Sequence, residues 1–390
     1  MRGKKKNDVP VGSRWRMVLL VLMAGICIGV YTPQECMAVE NLVVELTGQE
    51  EYQELEQTVE ELLGTESTFD FQEYLMAVIS GEEKLSLAGI RDAVLEGIRT
   101  PFIQLRQEFV RLVAMVLFTA IFTSFTRAFQ NGQVSESGFY VSYLLLVSML
   151  AAGYLTISEI VSATLEKLFG FMQALIPVFS TTLLLASGSL TSQGAAATML
   201  ILLGILDKVL LSILLPGMHI YMMLVLANHL SGEEPLGKLS ELVLKLVRMA
   251  LKGMLGLVAA VMGLQAMVTP VIDATKQNAA VKVSKLLPGI GSLFSGVAET
   301  LLGASNILKN AVGSAGMVVI GVLCALPMVK VLLYVLCYRA GAAVVEPVAD
   351  KRILHCMSDT AEGLTALLQL LFTGAVSFVL TLAILVRATT

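Results

Sequence analysis

Several long stretches of this chain carry no charged side chain, and that feature limits the possible folds more than any other. Uncharged runs, also free of histidine, cover residues 137–158, 168–206, 253–272, 310–329 and 363–386. About 20 residues of α-helix, rising 1.5 Å each, cross the hydrocarbon core of a bilayer, which is about 30 Å thick. A soluble protein usually carries about 25% charged residues, whereas this chain of 390 residues carries 15%. The sequence therefore predicts an all-α integral membrane protein.

The apolar runs divide the C-terminal part of the chain into separate candidate spans. Apolarity places these spans at about 110–129, 139–160, 168–188, 195–215, 217–231, 253–271, 311–338 and 362–386. They predict a polytopic helical bundle of about seven or eight spans, with residues 109–390 as the membrane domain. Only Leu215, Pro216 and Gly217 separate the fourth span from the fifth. These two spans therefore form either a tight hairpin or one broken helix.

Residues 1–38 have the three parts of a secretory signal peptide. A basic region that ends at Arg16 precedes an apolar run over Met17–Val30. The tripeptide Cys36-Met37-Ala38 then supplies small residues at the two positions that a signal peptidase reads. We expect cleavage to give a mature chain that begins near Val39, the alternative being an uncleaved signal anchor.

Residues 39–108 are predicted to form an acidic helical segment outside the membrane. Glutamates crowd this stretch, and Leu55, Val59 and Leu62 recur among them at helical spacing. Lysine and arginine are scarce here, which favours the non-cytoplasmic side of the membrane.

A charged stripe occupies one side of a predicted helix between His229 and Gly253. Its members recur three or four residues apart, at Lys238, Glu241, Lys245, Arg248 and Lys252. Leucines and a methionine fill the other side, so the pattern predicts an amphipathic helix in the cytoplasmic interface. The orientation of residues 270–310 is ambiguous, because counting spans places them outside while their lysines favour the inside.

Two charged residues interrupt an otherwise apolar span. Asp207 and Lys208 follow an uncharged run, and a charge at bilayer depth costs about 2.5–3.5 kcal/mol on insertion scales. Such residues usually face a bundle interior or a wet cavity. One reading is a polar lining or a contact with a partner subunit. The other is a buried pair that fixes helix packing.

Other candidate residues for a polar lining or a partner contact lie between the later spans. Lys282 and Lys285, after Asp273, share a helical face ahead of a Gly-rich turn. They could hold lipid phosphates or line a vestibule, or they could be solvated anchors at the membrane edge. Glu346 and Asp350 lie in the polar link before the last span, which is either a docking surface for a cytoplasmic partner or a solvated loop.

Enzyme motifs are not found in the sequence. It has no HExxH zinc motif and no phosphate-binding loop, and its histidines are far apart. An intramembrane serine protease needs a serine with a base at membrane depth, and Ser212 and His219 are a poor match because they are seven residues apart with Pro216 between them. We therefore expect no catalytic residue, metal or cofactor. A basic face suited to nucleic acid is also missing.

The order of short motifs along the chain resembles the stage III sporulation protein AE family. The matching segments are Leu175-Ile176-Pro177, Leu215-Pro216, Asp273 followed by Lys282, Leu287-Pro288-Gly289-Ile290-Gly291, Lys309-Asn310-Ala311-Val312-Gly313 with Gly316, Glu346-Pro347 and Asp350-Lys351-Arg352. The resemblance covers most of residues 100–390, while the acidic segment is matched in character alone.

This resemblance implies a non-enzymatic multi-pass subunit of a secretion-like channel that links the mother cell to the forespore. The family would sit in the outer forespore membrane and be needed for forespore development after engulfment. Its implied partners are other membrane and ring-forming proteins of the stage III apparatus, its ATPase and the lipid bilayer. The alternative is a stand-alone secondary transporter, which the helix-breaking prolines at 177, 216 and 288 would suit.

Overall fold

The fold is seen in a computed structural model of the chain. It describes residues 50–63, 106–107, 109–119, 121–122, 125, 132–187, 201–231, 236–284, 291–347 and 349–387. The predicted signal peptide, most of the acidic segment and Lys285 lie outside these ranges. Within them the regular structure is helical throughout.

Seven helices make up the described part of the chain. We label them α1 (Glu50–Leu63), α2 (Phe109–Thr119), α3 (Gly132–Ser187), α4 (201–231), α5 (Gly237–Ser284), α6 (Gly291–Val345) and α7 (Lys351–Arg387). Within the described ranges, four segments are long and apolar enough to span a membrane: Tyr140–Phe179, Ile201–His229, Asn310–Val345 and Lys351–Ile384. The helical membrane character is therefore confirmed, while a count of seven or eight spans stays a prediction.

Two pairs of predicted spans are joined in the structure. The segments expected at 139–160 and 168–188 both belong to α3, which has 56 residues and is therefore about 84 Å long. The segments expected at 195–215 and 217–231 meet in α4 without a hairpin. Apolarity identifies the parts of a helix that can face lipid, but it does not show where the helix ends. The charged residues at 159–167 do not break α3, because glutamate and lysine are good helix formers.

The proline in α4 is accommodated by a local change of helical pitch. Pro216 has no N–H, and its ring would clash with the carbonyl of residue 212 in a regular α-helix. Leu210–Leu214 form a π-helical turn, in which the N–H of Leu215 donates to the carbonyl of Leu210. The extra residue in this turn lets the chain continue past the proline as one helix. Turns of this kind are common at functional sites.

The amphipathic helix expected at the interface is the first part of a longer helix. It begins at Gly237 as α5 and runs to Ser284 without a break. Asn228 shapes its start, because the Asn228 Oδ1 atom accepts the N–H of Leu236 at 2.8 Å. A methyl group on Gly217 would lie 3.3 Å from Val247 Cγ2. Helix α5 therefore runs antiparallel along α4, and does not lie alone in the interface.

Helix α7 is the centre of the bundle and packs against α3, α4, α5 and α6. In its most apolar window 67% of the residues are buried, against 33–39% in the other candidate spans. Small side chains allow this, since helices in lipid associate through close packing. Hydroxyls at Thr360 and Thr381 donate to carbonyls four residues earlier in the same helix, so their burial leaves no donor unpaired.

Helix α6 packs closely against its neighbours at Gly316. A methyl group at this position would lie 2.9 Å from Leu382 and 3.2 Å from Leu175. Gly321, five residues later on the same helix, has open space in that direction. Glycine at position 316 therefore leaves room for the leucine side chains of α3 and α7.

We predict that Gly316→Leu destabilises the protein by about 1–3 kcal/mol, the usual cost of overpacking. The matched control is Gly321→Leu, which should be close to neutral or slightly stabilising, because leucine is a better helix former than glycine. The measurement is the melting temperature of each variant in the same detergent. Equal losses for the two variants would contradict the packing.

Candidate functional site

Polar side chains from four helices meet at the start of α7. Asp359 and Glu362 lie one turn apart on this helix, and each faces a base from a different neighbour. Asp359 Oδ2 lies 2.8 Å from His229 Nε2 at the end of α4. Glu362 Oε1 lies 2.9 Å from Arg248 Nη2 of α5. These four residues, with Tyr221, Arg339 and Thr365, are called the polar junction below.

Two further hydrogen bonds complete the polar junction. The Tyr221 hydroxyl of α4 donates to the backbone carbonyl of Asp359 at 3.3 Å. Arg339 of α6 donates through Nη2 to the Thr365 hydroxyl at 3.2 Å. The beginning of α7 is therefore held by side chains of α4, α5 and α6 together.

The carboxylates of the polar junction stay accessible although they are paired. Asp359 is 41% exposed and Glu362 is 45% exposed, whereas His229 is 5% exposed. Helix α7 is uncharged from Gly363 to Val386, so the junction lies at the point where its apolar part begins. Paired but accessible charges on rigid elements are suited to contacting a partner at the edge of the membrane.

A second polar contact lies deeper in the bundle. Ser158 Oγ of α3 is 2.6 Å from His219 Nε2 of α4. The ring of Tyr154 packs edge-on against the same histidine, with 6.1 Å between centroids. The sequence singled out Ser212 beside His219, but Ser212 is exposed and the contact is made by Ser158. This hydrogen bond links α3 to α4.

Asp207 and Lys208 lie on α4 just before the π-helical turn. Asp207 is half-buried and Lys208 is exposed. The carboxylate of Glu166, on α3, is near enough to interact electrostatically with Asp207. Lys167, which follows Glu166 on α3, donates a hydrogen bond to the carbonyl of Leu62 at the end of α1, at 3.1 Å. The charges in this span thus lie beside charges of a second helix, which the sequence did not pair with them.

Among the other predicted residues, only Glu346 and Asp350 have side chains within the described part of the structure. Asp273 and Lys282 are on α5, but their side chains lie outside the described part of the structure, as does all of Lys285. Glu346 is exposed in the turn after α6. Asp350 precedes α7, and its Oδ1 atom accepts the N–H of Arg352 at 3.1 Å. Asp350 therefore caps the helix that carries the polar junction.

Sequence reasoning missed Asp359 and Glu362. One signal was available, since two acids at a spacing of three directly precede a 24-residue uncharged run. Their bases could not be found in this way, because His229 and Arg248 are more than 100 residues away in the sequence. Over the described ranges, no group of three or more His, Cys, Asp or Glu side chains is placed to hold a metal ion.

Comparison with known proteins gives one family. The family model described as Stage III sporulation protein AE matches residues 69–389. Stage III sporulation protein AE of Bacillus subtilis (strain 168) is 22% identical over 278 residues, which cover 71% of this chain and 70% of that protein. No solved structure matches.

We predict that Asp359→Ala costs about 1–3 kcal/mol, because it leaves the buried His229 ring without its acceptor. Asp359→Asn should cost less, since the amide oxygen can still accept from Nε2. Ser358→Ala, at an exposed neighbouring position, is the control and should be close to neutral. Thermal unfolding in detergent measures all three, and an Asp359→Ala variant as stable as Ser358→Ala would contradict the assignment.

Proposed function

Because this chain belongs to the stage III sporulation protein AE family, we propose that it is a membrane subunit of a channel or secretion-like apparatus that links mother cell and forespore. In this proposal it is a non-enzymatic component of the outer forespore membrane, needed for forespore development after engulfment. Its partners are other membrane and ring-forming proteins of the stage III apparatus and an ATPase.

The observation that carries the proposal is the accessible polar junction. Helices α4 and α6 end at the same side of the bundle at which α5 and α7 begin, so one face gathers four helix termini. Glu346 and the capping residue Asp350 lie in the short link between α6 and α7 at this face. A rigid face with accessible carboxylates is suited to holding a partner by charge.

The link residues allow a direct test in sporulating cells. Glu346→Gln removes an exposed charge, and Asp350→Ser removes a partly exposed one while keeping an oxygen that can cap α7. We expect the double variant to reach normal abundance, to recover about tenfold less of its partners on co-purification, a loss of about 1.4 kcal/mol, and to lower the spore count.

Glu60→Gln, which removes an exposed charge on α1, is the control and should leave both readouts unchanged. Normal partner recovery and spore counts in the double variant would refute docking at this face. If no other membrane protein co-purifies with the wild-type chain either, the subunit role itself is refuted.

A stand-alone secondary transporter remains the second candidate, and the π-helical turn favours it. In transporters, interrupted helices near the middle of the membrane carry substrate and ion sites, and this turn directly follows Asp207 and Lys208. A transporter would move a labelled solute when purified and reconstituted alone. A channel subunit would not do so, and would need its partners.

Variants of Asp207 show whether its charge is needed for function or only for helix packing. If the charge is used, Asp207→Asn should block spore development after engulfment at normal protein abundance. If the residue only packs, Asp207→Asn should sporulate normally, while Asp207→Leu should lower abundance by removing the polar group. Spore counts and immunoblots of the two variants provide the measurement, and the first outcome is the one we expect.

A further inference from the structure

Helix α5 uses one of its faces to pack against the bundle. Leu244, Val247 and Leu251 are buried on this face, and the helices that α5 packs against are α4 and α7. On the side away from the bundle, α5 exposes apolar and basic side chains next to each other. Within the described ranges this outward side has no neighbouring helix, and its chemistry shows what kind of neighbour would fit.

Exposed apolar residues of α5 recur at alternating intervals of three and four. The first half of the series consists of large side chains that are 45–62% exposed: Leu239, Leu242, Leu246 and Met249. The second half consists of small residues at the same intervals: Gly253, Gly256, Ala260 and Gly263. This repeat is the a/d pattern by which one helix packs along another. These eight residues are called the outer seam below, and they extend about 36 Å along α5.

The second half of the outer seam allows another helix to come close. In the described structure, a Cβ atom added to Gly253, Gly256 or Gly263 would meet no other part of the protein within 4 Å. Small residues of this kind let two helices pack at a short distance in a membrane. A neighbouring helix can therefore pack closely against this half and contact the larger side chains of the other half.

Lysines flank the outer seam on one side. Lys238, Lys245 and Lys252 are exposed, and each directly precedes a residue of the seam. Within the described ranges none of the three forms an ion pair. Glu241 lies in the same stripe, but three lysines against one glutamate leave the stripe basic. In coiled coils, residues at this flanking position pair with charges on the facing helix.

Neither water nor lipid covers both surfaces. Water would leave the leucines of the outer seam in contact with solvent. Lipid headgroups could bind a lysine, but the three lysines extend over about 21 Å of α5, which runs along the candidate span Ile201–His229. The headgroup layer on each side of a bilayer is only about 5–8 Å thick, so it cannot meet all three lysines wherever the membrane lies.

We propose that the outer seam of α5 binds an amphipathic helix of another membrane protein. The partner helix has its own apolar seam, and it carries carboxylates seven residues apart on the side that faces Lys238, Lys245 and Lys252. Seven residues make about two helical turns, so these carboxylates recur about every 10.5 Å, as the lysines do. Opposite charges at matching positions favour this helix over a neutral or a basic one.

A second copy of α5 does not supply these carboxylates. Copies inserted in the same orientation would place α5 parallel to α5, and the lysines of one copy would then face the positions of Val243, Ala250 and Leu257 in the other. No ion pair results, so charge complementarity favours a different protein. This interface goes beyond the proposed function, because it lies on α5 and not on the link between α6 and α7, so either proposal can fail alone.

The test is photo-cross-linking of the full-length chain in native membranes. The photo-reactive amino acid p-benzoylphenylalanine replaces Leu246, in the outer seam. We expect one cross-linked protein, and mass spectrometry should map the link to a helix with carboxylates seven residues apart. The same probe in place of Met223, an exposed apolar residue of α4, is the matched control and should not give this product.

Charge exchange tests the pairing itself. Lys252→Glu, nearly two turns from the probe, should lower the yield of the product at least tenfold at normal protein abundance, and Lys252→Gln should give an intermediate yield. Lys351→Glu, which reverses an exposed lysine of α7, is the control and should leave the yield unchanged. Replacing the facing carboxylate of the identified partner by lysine should restore the yield with Lys252→Glu.

Any of four results would overturn the proposal. The first is that no protein is cross-linked at Leu246, and the second is a product with a second copy of this chain or with lipid alone. The third is a linked helix that lacks carboxylates at this spacing. The fourth is an equal yield for Lys252→Glu and Lys351→Glu, or no recovery after the charge exchange in the partner.

Discussion

Hydrocarbon offers no hydrogen bonds, and this constraint determines how the bundle is built. Every backbone polar group in the membrane must be paired within the protein, so the spanning segments are continuous helices. Helix α7, uncharged from Gly363 to Val386, becomes the centre because small residues let four neighbours approach it closely. The proline in α4 is accommodated by a π-helical turn, so this helix also continues without a break.

Charges are placed where this constraint is relaxed. At the polar junction, Asp359 and Glu362 pair with His229 and Arg248 and remain accessible, because α7 is only entering the membrane there. The junction stabilises the ends of four helices and presents charge at one face. Deeper in the bundle, Ser158 and His219 join α3 to α4 without an ionised group being needed. The contact between Ser158 and His219 is therefore polar without the paired acids and bases of the junction.

Apolar runs and helix signals were enough to predict the membrane class and the helical fold. They could not predict which runs share a helix, because Glu159–Lys167 in α3 look like a loop in a hydropathy profile but favour helix by propensity. Asp207 and Lys208 were recognised from the cost of charge in a span, whereas Glu166 was not connected with them. The polar junction was missed because its pairs join residues that are 114 and 130 positions apart. Contacts at such separations come from helix packing, which one sequence does not show.

The length of α3 has a consequence for the surroundings of the polar junction. The 56 residues of α3 extend about 84 Å, nearly three times the thickness of a hydrocarbon core. The Tyr143 side chain contacts Cys356 in the first turns of α7, so the 11 residues back to Gly132 extend α3 about 16 Å past that level. A molecule that binds at the junction therefore meets this end of α3 at one edge, which limits the directions from which it can approach.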